Sequence, residues 1–316
     1  MGPDHEGGDE VRDRGHNVKI VLIYENGDAN TASSYSFPFV YWYAFVYWYL
    51  LDLIPPSCIL LRENRGKIMN QNKIQEKKDL VWKEQSRIFR KIKENGFEVY
   101  ASSLKKLSDM FGVQDGYVRC VDEGTPGGFH AAGSGILRSK KEMLKIFRDA
   151  GVRGVTSHDG CGAAKMFAKA NCKDETCGDA EGKKWAKELA SELGVPYRHI
   201  SFAKMQRPKE FHISRAAYYD GTGCFNFGDG KKLPPGYIIS RQIQSEKASL
   251  SEILLGLNIS FGPNGFGERI TEDEPFILVA VGKTKTDTVR LKKELRSLEH
   301  PYGKKVIIDG FTAPRT

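Results

Sequence analysis

The chain has 316 residues, 40% of them hydrophobic and 28% charged, and a formal net charge of +8. That is the composition of a globular protein, with room for one large domain or two small ones. The basic residues are spread along the chain with no Lys/Arg block, which reads as a basic surface and not as a nucleic-acid-binding tail. The six cysteines, Cys58, Cys120, Cys161, Cys172, Cys177 and Cys224, are too sparse for a disulfide scaffold. With no secretory signal in the polar opening stretch, the expected setting is a reducing cytoplasm, where clustered Cys and His mean metal or catalysis more often than bridges.

Residues 37–51, FPFVYWYAFVYWYLL, form an uncharged run in which VYWY occurs twice. A spanning helix needs about 20 apolar residues. This run stops at Asp52 and soon meets Pro55 and Pro56, so a membrane anchor is not expected. Met69 opens a charged, helix-like stretch, and residues 1–68 are read as an atypical extension outside the fold. From there, residues 69–115 read as an N-terminal helical arm. An amphipathic helix over 72–95 carries Ile74, Leu80, Val81, Ile88, Phe89 and Ile92, and a shorter helix follows over 102–111.

Strands are expected at 116–122 and 152–156 and a helix at 139–150, with Ser139 as N-cap and Glu142 at the capping-box position. Ser157–Gly160 reads as a loop, Cys161–Ala170 and 181–193 as helices, and Pro196–Phe202 as a further strand. This alternation predicts βαβ units and a mainly parallel sheet flanked by helices, an α/β fold, over a core at 116–225. The remaining residues, 226–316, read as a mixed α/β extension. Apart from the VYWY pair the sequence shows no repeat.

Chemistry concentrates in Cys120-x-Asp122 and His158-x-x-Cys161. Cys120 falls at the carboxyl end of the first expected strand, and His158 and Cys161 at the end of the next, where it turns into a helix. In an open α/β sheet the crevice outside such strand ends is where sites form. Zinc accepts thiolate and imidazole, and three protein ligands leave a fourth position for water. Cys161 at a helix N-terminus has its thiolate favoured by the helix dipole. By spacing alone, two ordinary buried thiols and a loop histidine remain an equal reading.

The ordered segments Cys120-Val-Asp122, His130-Ala-Ala-Gly-Ser-Gly-Ile136 and Gly151-Val-Arg-Gly-Val-Thr-Ser-His158-Asp-Gly-Cys161-Gly-Ala-Ala164 resemble the motifs of β-class carbonic anhydrases. The resemblance covers about residues 115–170, more loosely to 205. It implies one zinc ion held by Cys120, His158 and Cys161, and reversible hydration of CO2 to bicarbonate by hydroxide on that zinc. It also implies a parallel sheet and a homodimer or higher homo-oligomer clasped by the N-terminal arm. Asp122 corresponds to the family aspartate that accepts a hydrogen bond from zinc-bound water or swings in as a fourth ligand. His130 is a candidate proton shuttle.

One departure bears on activity. The family arginine two positions after the aspartate is Gly124 here, and Arg119, Arg138 and Arg153 are unconvincing substitutes. Asp122 is therefore expected to be freer to close the site, unless another arginine takes the missing one's place. Two other functions share the residues. One is hydrolysis of another small heterocumulene such as carbon disulfide. The other is a non-catalytic zinc-bearing binding protein, its site closed by two cysteines, a histidine and the aspartate. Cys172 and Cys177 read as a pair of loop thiols, and Arg215 as a surface salt-bridge residue.

Overall fold

The computed structural model describes residues 61–316, apart from 112–114, 172–173, 227–231, 299–300 and 315–316. The aromatic run at 37–51 and Cys172 lie outside the described residues. The first helix, α1 (Leu61–Asn95), runs straight through the boundary expected at Met69, and the compact unit begins at Leu61. Among its described side chains, Lys78, Gln85, Phe89 and Ile92 are buried, whereas Leu80 is 68% exposed. The face that docks is thus set by seven-, four- and three-residue steps from Lys78. A short helix α2 (Phe97–Ser102) and a 3₁₀ turn at Ser108–Phe111 stand in place of the single expected helix over 102–111.

Two all-parallel four-stranded sheets follow. The first holds β1 (Tyr117–Arg119), β2 (Phe129–His130), β3 (Gly154–His158) and β4 (Tyr197–Ile200), in the order β2-β1-β3-β4. Its helices are α3 (Lys140–Asp149), α4 (Gly162–Ala170) and α5 (Gly178–Leu193). Ser139 caps α3 as expected, accepting from the Glu142 amide. β3 starts two residues later than the sequence suggests, and His158 becomes its last residue. Gly154 opens it because a Cβ there would lie 2.2 Å from the Tyr117 ring, so only glycine lets the two strands pair.

The second sheet holds β5 (Ala216–Asp220), β6 (Gly236–Ser240), β7 (Phe276–Gly282) and β8 (Val306–Thr312), in the order β6-β5-β7-β8. Helices α6 (Glu246–Phe261) and α7 (Lys285–Leu295) accompany it. The expected extension at 226–316 is therefore most of a second parallel sheet, and the boundary at 225 cuts it between β5 and β6. Every residue of β5, β6 and β7 is buried, as parallel strands covered on both faces require. The α7 helix is absent from the sequence reading, although Thr284 caps it by accepting from the Asp287 amide.

The two sheets share one strand order: second, first, third, fourth. They also share a turn. At the end of β1, Asp122 Oδ1 accepts from the Gly124 amide at 2.8 Å, and at the end of β5, Asp220 Oδ1 accepts from the Thr222 amide at 2.8 Å. The repeat is one of topology, with little beyond an Asp-(x)-Gly-Thr turn to mark it in the sequence. Edge strands β2 and β6 lie side by side without forming a ladder. Side chains join them instead: the His130 amide donates to Ser240 Oγ at 2.9 Å, and Gln244 Nε2 donates to the His130 carbonyl at 3.1 Å. These contacts satisfy edge groups that would otherwise template another strand.

One apolar core runs between the halves, joining Val118, Val155 and Trp185 to Ala217, Ile239, Leu257 and Leu278. A second, built from Phe89, Phe97 and Tyr100 with Tyr218, Val279 and Phe311, seats α1 and α2 on the second sheet. Arg215 is fully buried there, its guanidinium 3.5 Å from the Trp82 ring centroid and 3.9 Å from that of Phe89. It is a core clamp and not the surface ion-pair residue expected. No described helix is long and apolar enough to cross a membrane.

Candidate metal centre

β1, β3 and the start of α4 bring Cys120, His158 and Cys161 together, all buried. Their ligand atoms lie within 4.8 Å of one another, and the two sulfurs are 3.9 Å apart. Tetrahedral coordination with zinc–sulfur bonds near 2.3 Å sets sulfurs at ~3.8 Å, so the pair is spaced for one ion. His158 Nδ1 donates to the Asp159 carbonyl at 2.9 Å, and its buried Nε2 has no hydrogen-bond partner. A backbone carbonyl fixing one ring nitrogen while the other is left bare is how a histidine is readied for a metal. Cys161 is the N-cap of α4. Its thiol is lowered first by the hydrogen bond with Cys120 and further by the Ala164 and Ala163 amides, while the Cys120 thiol is raised by that same bond and by burial. The three residues can hold a metal ion.

The wall beside Cys120 is the segment 131–136. Gly133 N–H donates to Cys120 Sγ at 3.2 Å. Gly133, Ser134 and Gly135 all have positive φ, and Ser134 is the only non-glycine residue among those described that does. Such a backbone persists only when its surroundings over-determine it. Ser134 Oγ donates to the Thr156 carbonyl, Trp185 Nε1 to the Ser134 carbonyl, and the Ala132 amide to Glu252 Oε1.

Asp122 is not free. Arg207 grips it with two hydrogen bonds, Nε to Oδ1 at 2.7 Å and Nη2 to Oδ2 at 2.8 Å, and both side chains are at most 5% exposed. Burial alone would raise the Asp122 carboxyl. The Arg207 hydrogen bonds, with the charges of His158, His212 and Arg207, reverse that and hold it well below the usual carboxylate range. Gly124 completes the arrangement. A Cβ there would lie 2.7 Å from Met205 Cε and 2.9 Å from Arg207 Cγ, so the glycine clears the path of the Arg207 side chain. The arginine missing at 124 is supplied from 85 residues downstream of the aspartate. Of the two outcomes that Gly124 leaves open, a freer Asp122 or a substitute arginine, this pair is the second. Arg119 and Arg138 are engaged elsewhere, with Asp115 and Glu142.

Glu123, also fully buried, accepts from the Ile213 amide at 2.8 Å and pairs with His212 Nδ1 at 3.0 Å. Burial opposes the His212 charge, but Glu123 outweighs it and the imidazole is raised. Asp122, Glu123 and His212 are close enough to be a second candidate ligand group. The Arg207 cation already neutralises it, which disfavours an ion there.

His130 has a different place from a shuttle. Its Nδ1 donates to the Cys120 carbonyl at 2.7 Å, it is 1% exposed, and burial pulls it down to about 4. An imidazole neutral across the physiological range props the Cys120 backbone. Arg207, His212 and Glu252 escaped the sequence reading, since each reaches the site from at least 85 residues beyond its partner. No family model, curated protein or solved structure matches the chain.

Proposed function

We propose that Cys120, His158 and Cys161 hold one zinc ion and that the chain catalyses the reversible hydration of CO2 to bicarbonate. The observation that carries this reading is a three-ligand set beside a carboxylate, Asp122, that an arginine keeps ionised and turned toward itself. Three protein ligands leave one coordination position for water, the arrangement of catalytic rather than closed structural sites. When bound, zinc supplies a Lewis acid that lowers the pKa of water to about 7.

The other groups act on that water and its proton. Asp122 would accept a hydrogen bond from water held there and so orient it, and Arg207 fixes the carboxylate by two bonds. Gly133 N–H steadies the Cys120 sulfur. His212, raised in pKa by Glu123, partly open to solvent and 4.0 Å from Asp122, would pass protons between Asp122 and bulk water. The three ligand residues are buried, which favours a small substrate, and carbon disulfide, also small and linear, is the second substrate to assay.

Stopped-flow CO2 hydration by the zinc-loaded protein is the test. Activity well above the buffer rate, lost in Cys161→Ser and reduced in Asp122→Asn, is expected. Zinc-loaded protein with no activity toward either molecule would leave a non-catalytic binding site as the better reading.

A further inference from the structure

The repeated strand order raises the question of what the second half does. It cannot repeat the metal site. Residues 214–316 contain a single cysteine, Cys224, and a single histidine, His300. Aligning the two halves on Asp122 and Asp220, and on their strand registers, puts Tyr218 opposite Cys120 and Ala280 opposite His158. Thr284, the N-cap of α7, stands where Cys161 caps α4. An aromatic, a methyl and a hydroxyl have replaced two thiols and an imidazole.

The second half instead occupies the surfaces of the first. β6 lies along the open edge of β2, and Ser240 and Gln244 take the backbone groups of His130. Among the described residues, the hydrogen bonds of the α1 side chains toward the rest of the chain run to this half and the segment entering it. Lys78 reaches the Pro263 and Gly265 carbonyls, Trp82 reaches Glu274, Gln85 the Ile213 carbonyl, and Ser86 meets Arg215.

A line of contacts leads from the second half to the metal ligands. Glu252 on α6 is buried and accepts at both oxygens, from the Ala132 amide at 3.0 Å and from Gln244 Nε2 at 2.8 Å. Ala132 immediately precedes Gly133, whose N–H meets Cys120 Sγ. Gln244 also holds the carbonyl of His130, whose imidazole holds that of Cys120. Two side chains of the second half thus fix the left-handed segment and strand on which the Cys120 thiolate depends.

We propose that the second half is a metal-free counterpart of the first that serves as a built-in partner subunit, with Glu252 as the positioning residue through which it sets the Cys120 thiolate. The chain is then self-contained, with one metal ion per monomer. This rests on the metal assignment above but not on CO2 chemistry.

The test uses the full chain loaded with cobalt(II), which reports thiolate ligation through its charge-transfer absorption. Light scattering after size exclusion should give the 35.4 kDa monomer, and elemental analysis one metal per chain. Glu252→Ala should shift the charge-transfer band and weaken cobalt binding roughly tenfold, as loss of an outer-shell partner does. Glu252→Gln, which keeps an acceptor for the Ala132 amide, should largely retain both. If Glu252→Ala does not fold, Gln244→Ala carries the same expectation. A stable dimer, two metals per chain, or variants that lose only thermal stability while band and affinity stay put would each overturn the proposal. A protein that meets these expectations yet fails to hydrate CO2 would refute the catalytic reading alone.

Discussion

Replacing Arg207 by alanine isolates the pair on which the open site depends. The substitution removes both hydrogen bonds to Asp122 and strands a carboxylate that is 5% exposed. Breaking a buried ion pair from one side costs about 3–5 kcal/mol. Asp122 keeps the Gly124 amide at 2.8 Å and has His212 at 4.0 Å, which argues for the lower end, about 3 kcal/mol. The deficit depends on pH with a definite sign. The folded-state pKa of Asp122 is depressed, so the pair's contribution is present above the unfolded carboxylate value near 3.9 and is lost as pH falls through the folded value. Urea unfolding of Arg207→Ala and the parent should therefore diverge at pH 7 and begin to converge only below about pH 4, closing fully once pH passes the depressed folded value. In the same variant the released carboxylate competes with water for the metal, so CO2 hydration should fall at neutral pH and recover under alkaline conditions. Gly124→Arg alone should be harmful, because the space is filled by Arg207 and Met205. In Arg207→Ala the Arg207 obstacle is gone, the closest remaining atom is the flexible end of Met205, and Gly124 has no positive φ to forbid a side chain. The double variant Gly124→Arg/Arg207→Ala should regain part of both losses, a coupling a thermodynamic cycle measures. An Arg207→Ala protein within about 0.5 kcal/mol of the parent, the range of an ordinary surface substitution, and with an unchanged pH–rate profile, would refute this reasoning.

Other consequences are simpler to check. His130 is buried neutral with its pKa near 4, so the unfolded chain binds more protons between about pH 6.5 and 4, and the parent loses stability as pH falls across that window. His130→Gln, which keeps a donor toward the Cys120 carbonyl, should flatten that slope in urea titrations and leave every near-neutral ionisation in the pH–rate profile in place. Trp82→Ala should cost about 3 kcal/mol by loosening α1 from the second sheet. Arg215→Met, by contrast, should be neutral within ~1.5 kcal/mol, since buried Nε and Nη2 of Arg215 have no partner and an apolar side chain of similar length removes their cost. A loss above about 3 kcal/mol in the methionine variant, the cost of breaking a needed buried charge interaction, would show the cation to be essential to the clamp.

What the sequence revealed followed the range of the interactions involved. Ser139 and Glu142 announced the start of α3 because a capping box closes within one turn, and the Cys161 helix start was visible from the local Gly160-Cys-Gly-Ala-Ala164 turn into small helix formers. The three candidate ligands were legible because two short motifs sit at the ends of adjacent parallel strands. Arg207 was not, since nothing local to Met205-Gln-Arg-Pro distinguishes a guanidinium aimed at Asp122 from one aimed at solvent. The same holds for Glu252, a carboxylate in the first turns of an apolar helix, raised to about 7 by burial. The repeat of the two halves was hidden because buried parallel strands ask only for apolar residues. On the register that sets Asp122 against Asp220, Tyr117-Val-Arg119 stands against Arg215-Ala-Ala217, with no identical position. Which arginine stands in at Gly124 was hidden for a related reason: an absent side chain leaves no sign of which neighbour fills its place.

The central claim is that Cys120, His158 and Cys161 bind one zinc ion. Elemental analysis of the purified full-length protein beside Cys161→Ser and His158→Ala tests it most directly. The account predicts one zinc per chain in the parent and little in either variant. A parent without metal after growth in zinc, or folded variants that keep the full complement, would contradict it.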